Sequence, residues 1–208
     1  MDILIDLQYL PCLEYFCCLL KYDQVYLEGH EFYEKQSYRN RCKILSSNKV
    51  IELSVPIKKP WRQMAIKEMK IENNQNWRKD HCRSIQSSYG NAPFFQFYAD
   101  SILGIIEKNH RYLWDLNEEL LQECLNLMNL KPELDITDQY RKQLNSDLFD
   151  LRSKVHPKKS FMNNDFYYPF SYNQIFGNKF VGNLSIIDLL FCEGPESVTI
   201  LKKSVLKE

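Results

Sequence analysis

The first thirty residues alternate between strand-like and helix-like patterns, and this β-α-β opening restricts the fold more than any other feature. Residues 3–8 (ILIDLQ) form a short apolar run that suits a buried strand. After Pro11, apolar residues at positions 13, 16, 17 and 20 have helical spacing. Residues 24–28 (QVYLE) predict a second strand. We therefore expect an α/β or α+β fold, with a central mixed sheet covered by helices.

Later segments continue both patterns. Alternation predicts strands over residues 49–55 and 66–72. Helical spacing predicts helices from about 75 to Gly90, from Pro93 to about 108, and from Asp115 to Met128, the last with Asp115 as its N-cap. A further helix should begin at Ser185 and end near Gly194, before a last one.

Length and aromatic content favour a single folded domain over residues 1–208. The chain has 13 Tyr, 12 Phe and 3 Trp, which excludes wholesale disorder. Many of these aromatics lie in the Asn-rich stretch 161–183, which we expect to form a folded loop layered on the core.

Charge and cysteine content restrict the classes of protein. Lys plus Arg and Asp plus Glu both total 27, and this neutrality argues against a nucleic-acid-binding protein. Acidic residues stand where a secretory signal needs basic ones, and no run of 18 apolar residues predicts a membrane span. Seven cysteines without CxxC spacing predict reduced thiols in a cytoplasmic protein, and no metal site is expected.

The turn after the first predicted strand is the first candidate binding element. Ligands of open α/β sheets collect at the carboxyl ends of strands, beside helix N-termini. Gln8 lies at such a position, and its carboxamide can both donate and accept hydrogen bonds. The alternative is that Gln8 only holds the turn in place.

The segment 35–41 (KQSYRNR) is the second candidate. If it is extended, Arg39 and Arg41 project to one face, where guanidinium groups can bind phosphate or carboxylate. Asn40 lies between them as a polar contact for the substrate. The alternative is a solvated charged edge that resists aggregation, in which Arg39 and Arg41 pair with Asp23, Glu28 or Glu31 as surface ion pairs.

His81 is the candidate acid-base group. It follows Trp77 by one helical turn and precedes Tyr89 by about two, and histidine titrates near neutral pH. The alternative is a core histidine bonded to the backbone. Two more clusters stand out, Asp150-Leu151-Arg152 and Asn183-Leu184-Ser185 with Asp188. In the second, a helix cap explains Ser185 but leaves Asn183 unexplained.

Several motifs, taken in order, resemble the WbqC-like family. They are QYLPCLEYF (8–16), KQSYRNRCKI (35–44), LSVPIKK (53–59), WRKDHCRSIQSSYGNAPFF (77–95), DLR (150–152), YNQIF (172–176) and NLSIIDLLFCEGPE (183–196). The resemblance covers nearly the whole chain. Members usually begin with Gln-Pro-Tyr and then Leu-Pro-Tyr-Gly-Tyr, whereas here Pro11 follows Leu10 at once and Glu14 replaces the glycine before Tyr15.

The resemblance implies a role near bacterial surface-polysaccharide (O-antigen) synthesis, as a transferase that modifies an activated or amino sugar. It strengthens the functional interpretation of the residues at motif positions: Gln8, Arg39, Asn40, Arg41, His81, Tyr89, Asn183 and Asp188. We expect a small phosphate-bearing or sugar-linked substrate, with His81 as the base. The sequence identifies no cofactor and no oligomeric state.

Two other functions remain open. One is a nucleotide-binding, nucleotidylyltransferase-like enzyme, although an HxGH motif is absent. The other is a non-catalytic binding or scaffold module that uses the aromatic segment 161–180. If one site uses the separate motifs, the key side chains should lie within about 12 Å of a common centre. These side chains are Gln8, Arg39, Arg41, His81 and Asn183.

Overall fold

The computed structural model describes residues 1–47, 49–59, 63–142 and 147–206. Its strands are β1 (Asp2–Asp6), β2 (Gln24–Glu28), β3 (Arg41–Leu45), β4 (Val50–Ser54), β5 (Glu133–Ile136) and β6 (Leu148–Asp150). Its α-helices are α1 (Leu13–Lys21), α2 (Trp77–Tyr89), α3 (Phe95–Glu107), α4 (Leu113–Leu127), α5 (Ile186–Glu193) and α6 (Ser197–Ser204).

A four-stranded parallel sheet forms the centre, in the order β5-β2-β1-β6. Helix α1 connects β1 to β2, so the predicted α/β class and β-α-β opening are confirmed. Within the part of the chain that the structure describes, strands β3 and β4 pair only with each other, as an antiparallel hairpin, so the described strands divide between two sheets. The strand order was not accessible to sequence reasoning, because β5 and β6 come from a region with weak periodicity.

Parallel pairing places the carboxyl ends of all four strands at one edge of the sheet, which we call the carboxyl edge. The register pairs Asp6 at the end of β1 with Glu28 at the end of β2. Asp150 ends β6 beside β1, and Thr137 follows β5 beside β2. Three of the four strands therefore deliver a carboxylate to this edge.

The N-termini of α1 and α5 are joined by reciprocal backbone hydrogen bonds. Leu13 N donates to Leu184 O at 3.0 Å, and Ile186 N donates to Pro11 O at 2.8 Å. The predicted N-cap Ser185 occupies the cap position of α5, but its hydroxyl donates to Leu10 O at 2.8 Å and does not cap its own helix. This junction ties the C-terminal part of the chain to the first turn.

Two local predictions are wrong. Residues 66–72 do not form a strand: Ile66–Glu68 is a 3₁₀ turn, and Ile71 makes only an isolated bridge to Ile57. Helix α4 begins at Leu113 and has Tyr112, not Asp115, at its cap position. The apolar side chains Leu113 and Trp114 are buried, so packing extends the helix past the predicted acidic cap.

The aromatic segment lies partly on the core, as expected. Phe166 and Tyr167 are buried, whereas Tyr168 and Phe170 are 58% and 41% exposed. In the part of the chain that the structure describes, no helix has the length and apolarity needed to cross a bilayer.

Candidate functional site at the carboxyl edge of the parallel sheet

The carboxyl edge collects charged groups that are withdrawn from water. Asp6 and Glu28, at the ends of β1 and β2, are 1% and 0% exposed. Burial of an ionised carboxylate is costly unless the group is paired and hydrogen-bonded. The ion pairs and hydrogen bonds of these two acids therefore determine the chemistry that the carboxyl edge can support.

Arg39 is the buried cation beside Asp6. Its side chain is 1% exposed and donates from Nε and Nη2 to the two carboxylate oxygens of Glu31, at 2.6 and 2.7 Å. Its Nη1 lies 3.2 Å from Glu34 Oε2 and 3.6 Å from Asp6 Oδ2. One guanidinium thus serves three carboxylates, and the group carries excess negative charge.

That excess affects the protonation of Glu31. Burial raises the pKa of Glu31 to about 7; Arg39 opposes this shift and the nearby Asp6 and Glu28 carboxylates reinforce it. Burial opposes the shift, but the Asp6, Glu31 and Glu34 carboxylates together raise the pKa of Arg39, so the guanidinium stays charged. The pKa of Glu31 is therefore raised toward neutral pH, which is the direction that a general acid or base requires.

Gln8 joins this group through Asp6. Its Nε2 donates to Asp6 Oδ2 and to the backbone oxygen of Val155, both at 3.1 Å. Its Oε1 is buried and has no hydrogen-bond partner among the described residues. An unsatisfied buried acceptor costs about 1–3 kcal/mol, so this oxygen is a candidate acceptor for a hydroxyl or amine of a ligand.

Ser153 and Glu34 form the more exposed side of the group. Ser153 has a left-handed backbone with φ of +54°, its N–H donates to Asp6 Oδ1 at 2.7 Å, and its hydroxyl donates to Glu34. Although burial opposes the shift, this hydrogen bond and Arg39 lower the pKa of Glu34. The Glu34 side chain is 45% exposed, which gives the buried group an opening toward solvent.

A second ion network lies beside the first at the same edge. Arg152 contacts Asp150 through Nε and Nη2, at 2.9 and 2.7 Å, and Glu28 through Nη1 at 3.3 Å. Thr137 donates to Glu28 Oε1 at 2.8 Å. The predicted cluster 150–152 therefore belongs to the carboxyl edge.

His81 is in different surroundings. It is 5% exposed, its Nδ1 lies 2.9 Å from the Tyr9 hydroxyl, and its ring packs against Trp77. Burial lowers the pKa of His81 to about 4, and a hydrogen bond to the Ser54 backbone opposes the shift. This is the arrangement of a core histidine, and a catalytic role for His81 stays a prediction.

Tyr89 and Asp188 are bonded to each other in a separate buried network. The Tyr89 hydroxyl donates to Asp188 Oδ1 at 2.7 Å and accepts from Leu45 N at 3.0 Å. Tyr172 and Gln174 donate to Asp188 Oδ2 at 2.6 and 3.0 Å. These bonds fasten the aromatic segment to α5.

Asn183 and Asn40 have well-defined structural contacts. Asn183 accepts from Glu14 N at 3.0 Å and donates to Glu14 Oε2 at 2.8 Å, so it caps the first turn of α1 from far along the chain. Asn40 donates to Val55 O at 2.8 Å and accepts from the Tyr33 hydroxyl. Substrate contacts for both residues stay predictions.

Arg39 and Arg41 do not share a face, because residues 35–40 form turns and β3 begins only at Arg41. Arg39 enters the carboxyl edge, whereas Arg41 pairs with Glu52 at 2.7 Å on the hairpin. Of the five side chains expected around one centre, Gln8 and Arg39 come together through Asp6. The structure places Arg41, His81 and Asn183 in three other sets of contacts, and their convergence on one centre stays a prediction.

Sequence reasoning named Glu31 only as an alternative surface partner of Arg39 or Arg41, and it missed Asp6, Glu34 and Ser153. Asp6 had a detectable signal, since it is an acid that directly follows the apolar run 3–5 of the first predicted strand. Glu34 had none, because only tertiary contacts bring it to Arg39. Within the described residues, no group of three or more His, Cys, Asp or Glu side chains is arranged to hold a metal ion.

Comparison with known proteins agrees with the motif order. The sequence profile of the WbqC-like protein family matches residues 8–163 and 154–200. The chain belongs to the WbqC-like protein family. A similar protein in Mycobacterium tuberculosis, the uncharacterized protein Rv1507c, is 27% identical over 133 residues, or 63% of this chain. The match spans 57% of that relative's length. No solved structure matches this chain.

Proposed function

We propose that this WbqC-like protein is a group-transfer enzyme of bacterial surface-polysaccharide synthesis, which modifies an activated or amino sugar. The observation that supports this proposal most directly is Glu31, a buried carboxylate with a pKa of about 7 at the carboxyl edge of a parallel sheet. Ligands of α/β proteins collect at this edge. The family resemblance supplies the substrate class.

Glu31 is proposed as the acid-base group. In its deprotonated form it accepts a proton from the acceptor amine or hydroxyl as that group attacks the donor. The bidentate contact with Arg39 holds the carboxylate in one orientation. The free Oε1 of Gln8 orients the sugar by accepting a hydrogen bond from it. Glu34 and Ser153 form the entrance.

A cytoplasmic location is part of the proposal. All seven cysteines are free and buried, as expected of a chain that folds in a reducing compartment. Activated sugars are also made and consumed there as soluble donors, which is consistent with the expected substrate.

The test is a transfer assay with mass-spectrometric detection. The purified protein is incubated with a panel of nucleotide-activated sugars and free amino sugars, in pairs of donor and acceptor, and products are identified by mass. We expect one pair to give a transfer product. Glu31→Gln should lower its rate about 10²–10⁴-fold, because general-base catalysis contributes that much.

The control variant is Glu107→Gln, which makes the same charge change at an exposed residue at the end of α3. It should leave the rate unchanged. The wild-type rate should rise as pH increases through about 7, since the base must be deprotonated, and Glu31→Gln should lose that dependence. If Glu31→Gln leaves the rate unchanged and His81→Gln lowers it by about 10²–10⁴-fold, the acid-base role belongs to His81.

A binding role is the second candidate, because Tyr168 and Phe170 are 58% and 41% exposed. Exposed aromatics are enriched in protein interfaces. If every donor and acceptor pair gives no product, and Tyr168→Ala abolishes capture of another polysaccharide-assembly protein by this chain, the enzyme proposal fails in favour of this one.

A further inference from the structure

A large cleft opens beside the loop that carries Glu31 and Glu34. Its volume is about 920 Å³, within the roughly 300–1,000 Å³ typical of small-molecule sites. It is lined by Phe32, Tyr33, Lys35, Gln36, Asn40, Arg41, Ile57, Lys59, Gln63 and Met64. Among these residues three are cations, and none is an acid.

The cations of this cleft retain unused hydrogen-bonding capacity. Lys35 and Lys59 have no ion pair or hydrogen bond with any described residue. Arg41 uses Nη1 on Glu52, but its Nε is buried and has no hydrogen-bond partner among the described residues. Unpartnered donors of one sign gathered around a concave surface favour an anionic ligand with several oxygens.

The other wall of the cleft is apolar. Phe32 is 58% exposed although it is a large aromatic residue, and Ile57 and Met64 lie on the same lining. A planar ring placed against Phe32 removes apolar surface from water and stacks on the aromatic face. Phosphate contacts and a ring platform together match a nucleoside phosphate better than a phosphate alone.

The cleft and the carboxyl edge share one loop. Glu31 and Glu34 contact Arg39 on the edge, whereas Phe32, Tyr33 and Lys35, their neighbours in sequence, line the cleft. The Tyr33 hydroxyl donates to Asn40 at 3.0 Å, which joins this loop to the segment between Arg39 and Arg41. A ligand in the cleft therefore contacts the same loop that carries the proposed catalytic group.

We propose that the cleft binds the nucleoside diphosphate part of the activated sugar, with the diphosphate on Lys35, Arg41 and Lys59 and the base against Phe32. This rests on the proposed function, which it deepens by naming the donor. The sugar then extends toward Glu31 and Gln8. The acceptor hydroxyl or amine forms a bond to the anomeric carbon of this sugar and gives its proton to Glu31. The bond from that carbon to the diphosphate oxygen breaks, and the cations stabilise the nucleoside diphosphate that leaves.

Isothermal titration calorimetry with the uridine, cytidine, adenosine, guanosine and thymidine diphosphates, without any acceptor, tests the proposal. We expect at least one to bind with micromolar affinity, and more weakly as salt increases, because the contacts are ionic. The double variant Lys35→Gln/Lys59→Gln should weaken binding at least about tenfold. The matched control, Lys79→Gln/Lys202→Gln, alters two exposed lysines outside the cleft and should bind like wild type.

Two further measurements, inorganic pyrophosphate binding and nucleotide binding by Phe32→Ala, distinguish the contribution of the diphosphate to the affinity from that of the base. Pyrophosphate should bind at least about tenfold more weakly than the best nucleotide, and Phe32→Ala should remove most of that difference. Equal binding of pyrophosphate would overturn the nucleoside assignment and favour a lipid-linked diphosphate.

Two outcomes would reject the cleft itself: no nucleotide binding, or equal binding by the Lys35/Lys59 variant and the control. Failure of the proposed enzymatic function gives a different pattern of results from failure of the nucleotide site. Nucleotide binding that depends on Lys35 and Lys59, combined with no transfer product in any assay, rejects the enzyme but not the nucleotide site. If transfer depends on Glu31 but no nucleotide binds, the nucleotide site is rejected and the proposed enzyme is not.

Discussion

At the scale of single residues, one guanidinium decides whether the carboxyl edge is stable. Arg39 is the buried cation that contacts Asp6, Glu31 and Glu34, with distances between 2.6 and 3.6 Å. Without it, Asp6 and Glu31 would be buried near each other with no compensating charge from Arg39. Such groups destabilise strongly when one partner is removed, even where the intact network adds little net stability.

Arg39→Gln is therefore expected to lower the free energy of unfolding by about 3–5 kcal/mol. Arg41→Gln is the matched control, because Arg41 pairs with Glu52 at a half-exposed position and should cost less than about 1 kcal/mol. Urea unfolding at pH 7.5, followed by circular dichroism, measures both. Equal losses in the two variants would show that the buried network has no special importance for stability.

A second residue-scale prediction concerns His81 and acid. Its pKa is about 4 in the folded protein against 6.5 in an unfolded chain, so the unfolded state takes up a proton first as the pH falls. The neutral ring then contributes about 3 kcal/mol above pH 6.5, and this is lost as the pH falls from 6.5 to about 4.

His81→Gln keeps a partner for the Tyr9 hydroxyl but does not titrate. The difference in unfolding free energy between wild type and variant should therefore shrink by about 3 kcal/mol between pH 6.5 and 4. Denaturant titrations at several pH values measure it. Taking the difference removes the opposite contribution of Glu31, whose raised pKa lowers stability as pH rises from about 4.5 to 7. A constant difference would mean that His81 is accessible and titrates normally.

At the scale of elements, distant segments supply the contacts that local sequence lacks. Helix α1 has no side-chain cap of its own at Cys12, and Asn183 provides one across the molecule. Asn183 adopts φ of +56°, a backbone that asparagine tolerates better than most residues. Asp188 in the first turn of α5 likewise receives three side-chain hydrogen bonds from other segments.

Tyr172 is expected to hold the aromatic segment on the core through Asp188. Tyr172→Phe removes a 2.6 Å hydrogen bond to a buried carboxylate and should cost about 1.5–3 kcal/mol. Tyr168→Phe is the control, since Tyr168 is 58% exposed and should change stability by less than about 0.5 kcal/mol.

Limited proteolysis reports the same contact locally. Tyr172→Phe should speed cleavage between residues 161 and 183 more than cleavage elsewhere, because the segment loses its bond to α5. If cleavage becomes faster at all sites equally, the substitution only lowers the stability of the whole protein. If cleavage does not become faster, the remaining hydrogen bonds to Asp188 are enough to hold the segment on α5.

At the scale of the whole molecule, the reactivity of the seven buried thiols measures whether the protein unfolds as one unit. All seven cysteines are buried, and burial raises the pKa of each, to about 11 for Cys82 and about 12 for Cys124 and Cys192. Thiolates are the reactive form, so the folded protein should resist thiol reagents at neutral pH. We propose that the chain unfolds as a single domain.

Labelling with Ellman's reagent across a urea series tests this proposal. In the absence of urea almost no thiol should react, and all seven should become reactive in one transition that coincides with the loss of helical circular dichroism. Separate labelling of some cysteines at lower urea would indicate more than one unfolding unit.

The sequence by itself determined the elements with strong local patterns. The β-α-β opening, helix α2 up to Gly90 and the hairpin strand β4 follow from spacing alone, because apolar periodicity reflects which face a segment buries. Motif order also identified the family. These features are encoded by residues close together in the chain, so no tertiary information was needed to recognise them.

Only the tertiary structure decided the strand order and the composition of the candidate site. Glu31 meets Arg39 because residues 35–40 turn the chain back on itself, and Ser153 reaches Asp6 across 147 positions of sequence. A carboxylate with a pKa near 7 arises from burial and from neighbouring charges, neither of which a sequence pattern records. The same turns separate Arg39 from Arg41, whereas an extended segment would have placed both on one face. The backbone turns there because Arg39 is buried against the acids of the carboxyl edge, while Arg41 stays on the hairpin.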